Sequence, residues 1–467
     1  MEAKRSLSGR EKFAYGIGAV GKDMVYMLSA SYISIYFLDV MGISAAAIAV
    51  LLMAARVFDA FNDPIMGVLV AKTKTRWGPW LLVGTVTNAL VLYLMFTIPP
   101  ELNGAGLVAY ASVTYILWGM TYTMMDIPFW SMIPAFTEAG KEREGLSAFA
   151  RSCAGVGSAL VSIVTVMSVA ALGKAFGGTT DNEINRIGYS KFALIIAVLF
   201  VIFILITCLC IKEKSTVDMK NASIGEMFRA LIQNDQAMTV VVAIVMINTA
   251  LYITQQLVYF FLKYDFSPST YQGDFTLFNM VGGGCQILAM MILFPVLRRF
   301  MDTIKIFYTC FGMAVTGYIL IIIISATGTS SVGWLFIPAA FIMSAVGVLN
   351  VIITVFLANT VDYGEFKNSR RDESVIFSMQ TFVVKLASGI AGFISSMVLF
   401  VFHISSNKEA VVTEPIAASS RMGLRLSMTI IPIVVLVIGF IVFKKRYILT
   451  DRKLAEISKE LEKKHQN

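Results

Sequence analysis

The stretch Arg56-Val57-Phe58-Asp59-Ala60-Phe61-Asn62-Asp63-Pro64 sets one cation and two carboxylates inside an apolar segment that runs from about Ala45 to Ala71. A charge near the middle of a bilayer-spanning helix costs at least ~2.5–3.5 kcal/mol, so residues of this kind mark an ion or solute path. At helical spacing Asp59 and Asp63 lie one turn apart and Asn62 three residues after Asp59, so their oxygens converge on one face. A hard monovalent cation would find oxygen ligands there. The alternative is structural: Arg56 neutralises Asp59 one turn away and Asp63 caps backbone near Pro64.

Composition agrees that the surrounding solvent is lipid. The chain has 467 residues, 57% hydrophobic and only 15% charged, with a mean hydropathy of +0.75. A soluble chain would carry nearer a quarter charged residues. The formal charge of +8 is spread over short loops and the tail, which points to membrane orientation rather than nucleic acid. Cys153, Cys208, Cys210, Cys285 and Cys310 sit in apolar runs without metal spacing and read as packing residues. The histidines, His403 and His465, offer no catalytic or metal pair, and there is no phosphate-binding Gly-x-x-x-x-Gly-Lys-Ser/Thr loop. No cofactor and no enzymatic chemistry are expected; any uphill work would draw on an ion gradient.

Twelve runs are long enough to cross a bilayer: Phe13–Leu38, Ala45–Ala71, Trp80–Ile98, Leu107–Pro134, Leu146–Leu172 and Phe192–Ile211, then Ala237–Leu262, Phe275–Val296, Ile306–Ala326, Val332–Val361, Ser374–Val401 and Leu424–Phe443. The expected organisation is all-α: a six-helix half over 1–211, a middle loop over 212–236, a second six-helix half over 237–443 and a charged tail over 444–467. No repeat of residues links the halves, so the division rests on hydropathy. Basic residues concentrate on one side, at Lys4, Arg5, Arg10 and Lys12, Lys72, Lys74 and Arg76, Lys141 and Arg143, Lys212, Lys214, Lys220 and Arg229, Arg298, Arg299 and Lys305, Lys367, Arg370 and Arg371, and the C-terminal cluster that begins Lys444, Lys445, Arg446. The other side holds few, among them Lys174, Arg186, Lys191, Lys263 and Lys408, which places both termini in the cytoplasm. The tail spacing Leu454, Ile457, Leu461 reads as a solvated helix near the lipid surface.

Further charges stand inside the spans. Lys22, Arg56, Arg151, Lys385 and Arg425 stand against Asp23, Asp59, Asp63 and Asp126 in near balance, as an internal polar network requires. Arg425, close to a span end, is expected to snorkel and is left out of the site. Lys22 and Asp23, adjacent in sequence, point about 100° apart and are expected to reach different partners. Tyr122, Asp126 and Trp130 recur every fourth residue, which sets a carboxylate between two rings on one stripe. A pyranose offers an apolar face to a ring and hydroxyls to a charged acceptor, so this stripe fits a sugar; ordinary helix packing is the alternative. Gln380, Thr381 and Lys385 add polar groups from the eleventh span.

At Arg56–Pro64, Tyr115–Thr123, Tyr122–Trp130, Asp362-Tyr363-Gly364-Glu365 and Gln380-Thr381-x-Val383-Val384-Lys385 the sequence resembles the glycoside–pentoside–hexuronide:cation symporters of the major facilitator superfamily, over essentially the whole chain. The resemblance implies a twelve-helix carrier of the bacterial inner membrane, with a monovalent cation (Na+, Li+ or H+) and a small sugar as its partners. No obligate protein partner is implied, and regulation by a cytoplasmic protein of a sugar system is not readable from the chain. It assigns Asp59, Asp63, Asn62 and Thr123 to the cation, with Na+ at the two aspartates. It assigns Asp23, Lys22, Asp126, Tyr122, Trp130, Arg151, Gln380, Thr381, Lys385 and the Asn350 position to a galactoside such as melibiose. Arg56, Asp362, Glu365 and Arg371 fall to a charge network, with 362–373 as a cytoplasmic gating loop. Two positions depart from the sugar-site pattern: Asn350 stands where a tryptophan is expected on the tenth span, and Ala30 where a tyrosine is expected after Asp23. A same-fold carrier of another glycoside or a lysolipid, and a non-transporting sensor, remain the rival readings.

Overall fold

The computed structural model describes residues 7–73, 78–99, 101–137, 140–211, 229, 232–329, 331–369, 373–402, 404 and 417–466. Among these, twelve long helical rods are followed by one shorter helix. The first six are α1 (Gly9–Ile35), α2 (Ala45–Lys72), α3 (Gly78–Met95), α4 (Gly104–Phe136), α5 (Lys141–Ala175) and α6 (Asp181–Cys210). The next six are α7 (Asp235–Phe261), α8 (Tyr271–Leu288, carried on through Phe300), α9 (Thr303–Ala326), α10 (Phe336–Asn368), α11 (Glu373–Val401) and α12 (Ala418–Arg446). The tail forms α13 (Asp451–Gln466).

Local chemistry fixes several starts. Ser8 and Glu11 form a reciprocal capping box at α1, and Thr180 and Glu183 do the same at α6. That second cap explains why α6 begins at Asp181, well before the apolar run at Phe192. Among the described residues eight helices, α5 to α12, are long and apolar enough to span a bilayer. The rods α1 and α4 do not reach the same measure: α1 carries Lys22 and Asp23, and α4 is rich in Gly, Tyr, Thr and Ser besides holding Asp126. Helices this polar enter a membrane protein only as part of a bundle that encloses their charges.

The chain forms two compact units. One comprises Met1–Gln233 with Gly364–Phe382 and Ser458–Asn467; the other comprises Asn234–Tyr363 and Val383–Ile457. In the first unit α1 packs on α5 and α6, α3 on α4 and α6, and α2 on α4. Glycine makes the closest of these approaches: a Cβ at Gly157 would meet the backbone of Val20, and one at Gly188 the carbonyl of Val169. Small residues let membrane helices approach backbone to backbone. Tyr15 donates to the Phe129 carbonyl at 2.6 Å and Thr207 to that of Ala14 at 2.8 Å, which pins α1 to α4 and α6.

In the second unit α7 packs on α12, and α9 on α12. Phe307, Phe356, Phe443 and Tyr447 stack between α9, α10 and the end of α12, with Phe307 and Phe443 centroids 4.2 Å apart. Arg425 corrects the sequence reading. It lies well inside α12, which starts at Ala418, and grips Asp265 with two bonds of 2.9 Å from Nε and Nη2. A bidentate guanidinium–carboxylate pair replaces the expected snorkelling because a buried acid lies within reach.

Two further expectations change. Asp362 and Glu365 belong to no loop: α10 runs on to Asn368, both side chains are buried, and the helix stops at Ser369, whose φ of 52° is left-handed. The tail stripe Leu454, Ile457 and Leu461 is buried within the protein, so α13 is not a solvated helix at the lipid surface. Its start is tied down by Asp451, which accepts from Arg298 at 2.6 Å. Arg371, His403, most of the 212–236 loop and the loop bases Lys74, Arg76, Arg370 and Lys408 lie outside the described residues, as does the side chain of Arg56.

Candidate functional site

Two clusters in the first unit share one helix, α4. On the side toward α2, Thr123 Oγ lies 2.9 Å from Asp63 Oδ1 and 3.0 Å from the Gly119 carbonyl; its single proton serves one of the two. One turn earlier the Asp59 carboxylate rests against Gly119, where an added Cβ would stand 2.8 Å from Asp59 Oδ1. Two residues spaced by four on α2 thus meet two residues spaced by four on α4. Asp63 is fully buried, Asn62 nearly so, and Asp59 half-buried. The Asn62 side-chain nitrogen is buried with no hydrogen-bond partner among the described residues. Carboxylate, amide and hydroxyl oxygens with only two acids form a hard, weakly charged donor set, which suits a monovalent cation better than a transition metal.

On the side toward α1 the centre is Lys22. Its ammonium lies 2.8 Å from Asp126 Oδ1, 3.2 Å from Asp23 Oδ1 and 3.1 Å from the Tyr122 hydroxyl, which occupies all three donors. The expectation that Lys22 and Asp23 would part company is therefore corrected. The four-carbon stem of lysine reaches across the 100° offset and lets one ammonium gather both acids. Trp130 Nε1 donates to the same Asp126 oxygen at 3.1 Å, and the Arg151 guanidinium lies over the Trp130 ring, 3.7 Å from its centroid. Lys22, Tyr122, Asp126 and Trp130 are each under a tenth exposed. Two cations and two anions close the charge balance, the condition on which such a group survives burial. Pro128, inside α4, donates no hydrogen bond to the Met124 carbonyl and so loosens the helix within the cluster.

Sequence reasoning missed two members. Tyr26, 42% exposed, lies 5.6 Å from the Tyr122 ring and 6.4 Å from Trp118, which extends the aromatic wall along α1. Its position one turn after Lys22 was the available signal. Gly119 was the other, four residues before Thr123 and matching the Asp59–Asp63 interval. Gln380 and Thr381 are half-buried on α11, Lys385 is half-buried one turn further along it, and Asn350 is half-buried on α10, its carbonyl accepting from Thr354 at 3.0 Å.

Comparison with known proteins agrees in direction. Residues 14–451 match the family described as MFS/sugar transport protein. The raffinose carrier protein of Pediococcus pentosaceus is 26% identical over 97% of this chain and 71% of its own length. The putative glycoside/cation symporter YagG of Escherichia coli K12 is 25% identical over 97% of this chain and 95% of its own. The solved structure of the major facilitator transporter FucP in its outward conformation superposes with a TM-score of 0.67 at 13% identity, over 94% of this chain and 98% of that one. A twelve-helix fold, a polar cluster enclosed by aromatic rings and a family match over nearly the whole chain converge: this is a multi-pass membrane transporter, not an enzyme, and it belongs to the sugar-transporting major facilitator proteins of the glycoside–pentoside–hexuronide:cation symporter family.

Proposed function

We propose that the protein carries a galactoside, melibiose or a related α-galactoside, into the cell together with Na+, or with Li+ or H+ at the same site. The observation that supports this reading is the placement of Tyr122 and Thr123 side by side on α4. Thr123 bonds Asp63 of the cation set, while the Tyr122 hydroxyl meets Lys22 of the sugar set. A cation at Asp59 and Asp63, with Asn62 and Thr123, neutralises the acids and fixes α2 against α4. That settles the rotation of α4, and with it the position of Asp126 and Trp130. Sugar hydroxyls then take over the acceptors that Lys22 now fills at Asp23 and Asp126. Linkage requires each ligand to raise the other's affinity by the same factor. The loaded carrier exposes its site to each side in turn, with both termini in the cytoplasm of a bacterial inner membrane.

The acid pair does not by itself reject an anionic glycoside, because Lys22 and Arg151 stand beside it. The test therefore measures uptake of radiolabelled melibiose, raffinose and a glucuronide into cells lacking such carriers, each with Na+, Li+ or neither at fixed pH. Na+-stimulated melibiose uptake that disappears in Asp59→Cys at normal membrane levels is the expected result. Undiminished stimulation in that variant removes the cation assignment. No galactoside uptake under any cation moves the substrate elsewhere, with Asn350 the first position to change.

A further inference from the structure

Helix α3 supplies no residue to either cluster, yet it holds the helix that carries both. From Pro79 to Met95 it bears no charge, and Leu82, Val83, Val86 and Leu90 form an exposed apolar face. The opposite face is different: Gly84, Thr85 and Asn88 are buried, Asn88 completely.

Both amide protons of Asn88 are spent on α4. Nδ2 donates at 2.9 Å to the Trp118 carbonyl and at 2.9 Å to Thr121 Oγ1. The Thr121 oxygen can accept because its own proton serves a carbonyl of its helix, that of Leu117 at 2.8 Å or of Trp118 at 3.2 Å. One side chain thereby grips both ends of the turn from Trp118 to Thr121, which contains Gly119 and leads straight into Tyr122 and Thr123. A carbonyl only accepts, so Trp118 fixes the amide with its nitrogen toward α4. One turn earlier on α3, Gly84 makes a second hold: a Cβ there would stand 3.0 Å from the Met125 backbone nitrogen and 3.1 Å from the Met124 carbonyl carbon.

At about 100° per residue, Thr121 and Met125 lie on the side of α4 opposite Gly119, Thr123 and Asp126. Helix α3 thus holds α4 from behind, at the level where the two clusters occupy its front. The Asn88 oxygen is buried with no hydrogen-bond partner among the described residues. A leucine of similar size would avoid that cost in the interior of a span. The amide is a poor choice for stability and a good one for keeping a neighbouring backbone at a set angle.

We propose that Asn88 is a positioning residue for transport. By fixing α4 from behind, with Gly84 as the stop, it makes a cation at Thr123 turn the helix instead of shifting it, and so passes cation binding on to Tyr122, Asp126 and Trp130. The lever is sensitive. Side-chain tips ride ~6 Å from a helix axis, so a rotation of about 20° moves them by ~2 Å, enough to make or break a bond to a sugar hydroxyl. Without the hold the same pull is absorbed as α4 slides on α3, and each ligand then binds with little effect on the other. The inference deepens the proposed cation-coupled glycoside transport and rests on it; the experiment keeps the two apart.

The full-length protein carries Asn88→Leu, Gly84→Ala or, as a control, Thr85→Val, whose hydroxyl is likewise buried without a partner among the described residues. The quantity read is the coupling ratio, the KM for melibiose without Na+ divided by the KM at saturating Na+. It is expected to fall about fivefold in the first two variants, the worth of one hydrogen bond, and to stay within twofold in Thr85→Val. The melting temperature of purified Asn88→Leu in detergent is expected to be no lower than that of the wild type, since the unpaired oxygen is gone. A merely structural asparagine would give the reverse, a lower melting temperature with the ratio intact. A ratio within twofold of wild type in both Asn88→Leu and Gly84→Ala overturns the proposal, and if Asn88→Leu fails to reach the membrane, Gly84→Ala decides alone. If the wild-type protein shows no Na+-stimulated melibiose uptake, the proposed function falls instead, and backbone hydrogen exchange decides the positioning role by itself. Exchange over residues 117–125 is expected to be about fivefold faster in Asn88→Leu, with α5 unchanged; equal rates over 117–125 remove the role.

Discussion

Gly119 shows what a single missing Cβ does. The Asp59 carboxylate occupies the space that a side chain there would fill, 2.8 Å from the added atom. Gly119→Ala is expected to push Asp59 away from the line of Asp63 and Thr123. A roughly tenfold rise in the Na+ concentration for half-maximal sugar uptake is expected, corresponding to ~1.4 kcal/mol, with KM for sugar at saturating Na+ unchanged. Equal loss of both affinities in Na+-titrated uptake would place Gly119 outside the cation set. Trp130→Phe keeps a ring beneath Arg151 but removes the Nε1 bond to Asp126. A rise in sugar KM of about fivefold, with the Na+ dependence retained, is the expected outcome of losing a hydrogen bond to a charged acceptor. Much of this cluster was legible in the chain, because fourfold spacing on a helix is a geometric fact that Tyr122, Asp126 and Trp130, or Asp59 and Asp63, display without any fold. The reach of Lys22 was not, since side-chain length sets it and helical direction does not. Gly119 was invisible for the opposite reason: its contribution is a space.

Between elements, what was hidden is pairing over distance. Asp265 stands between two spans and reads as a loop residue, and Arg425 reads as a span end; only the π-turn at Leu262–Phe266, which carries α7 on past Phe261, and the early start of α12 bring them together. Arg425→Leu leaves Asp265, with only 4% of its side chain exposed, without this partner, and a loss of about 3–5 kcal/mol is expected. Replacing both residues by leucine should recover most of it. Thermal unfolding of the purified protein in detergent reads the difference, and equal melting temperatures for the single variant and the wild type would make the pair irrelevant to stability. Gly188 makes the same argument between α5 and α6. A valine there would collide with the Val169 carbonyl, and overpacking of this kind costs about 1–3 kcal/mol. The extent of the spans was read well in their apolar middles and poorly at their ends, where capping boxes and charged turns lengthen a helix beyond its lipid-facing part.

For the molecule as a whole, hydropathy alone announced twelve spans, since a bilayer imposes the same length on every one. Helix α1 ends in a π-turn at Tyr36–Val40 and α7 in one at Leu262–Phe266, and this correspondence is hidden from hydropathy because only Tyr26 with Tyr252 and Asp39 with Asp265 are identical when 21–44 is set against 247–270 at the same interval. Backbone register outlives side chains. The tail was misread for a related reason: the Leu454, Ile457, Leu461 stripe fits a lipid surface and a protein surface equally well, and the fold chose the second. Ile457→Glu, which puts a charge at a position 1% exposed, is expected to lower the melting temperature by several degrees. No change in that measurement would return the tail to solvent.

The unbroken interval between the π-turns also limits how such a carrier can evolve. One inserted or deleted residue ahead of either turn swings everything before it by about 100° relative to everything after it. Lys22 would then be turned toward a different neighbour, and the change would be lost with the function. Lineages that retain this register are confined to exchanging residues in place, so diversity of cargo in these proteins should be written as substitutions at fixed addresses, with changes of length collected in the loops.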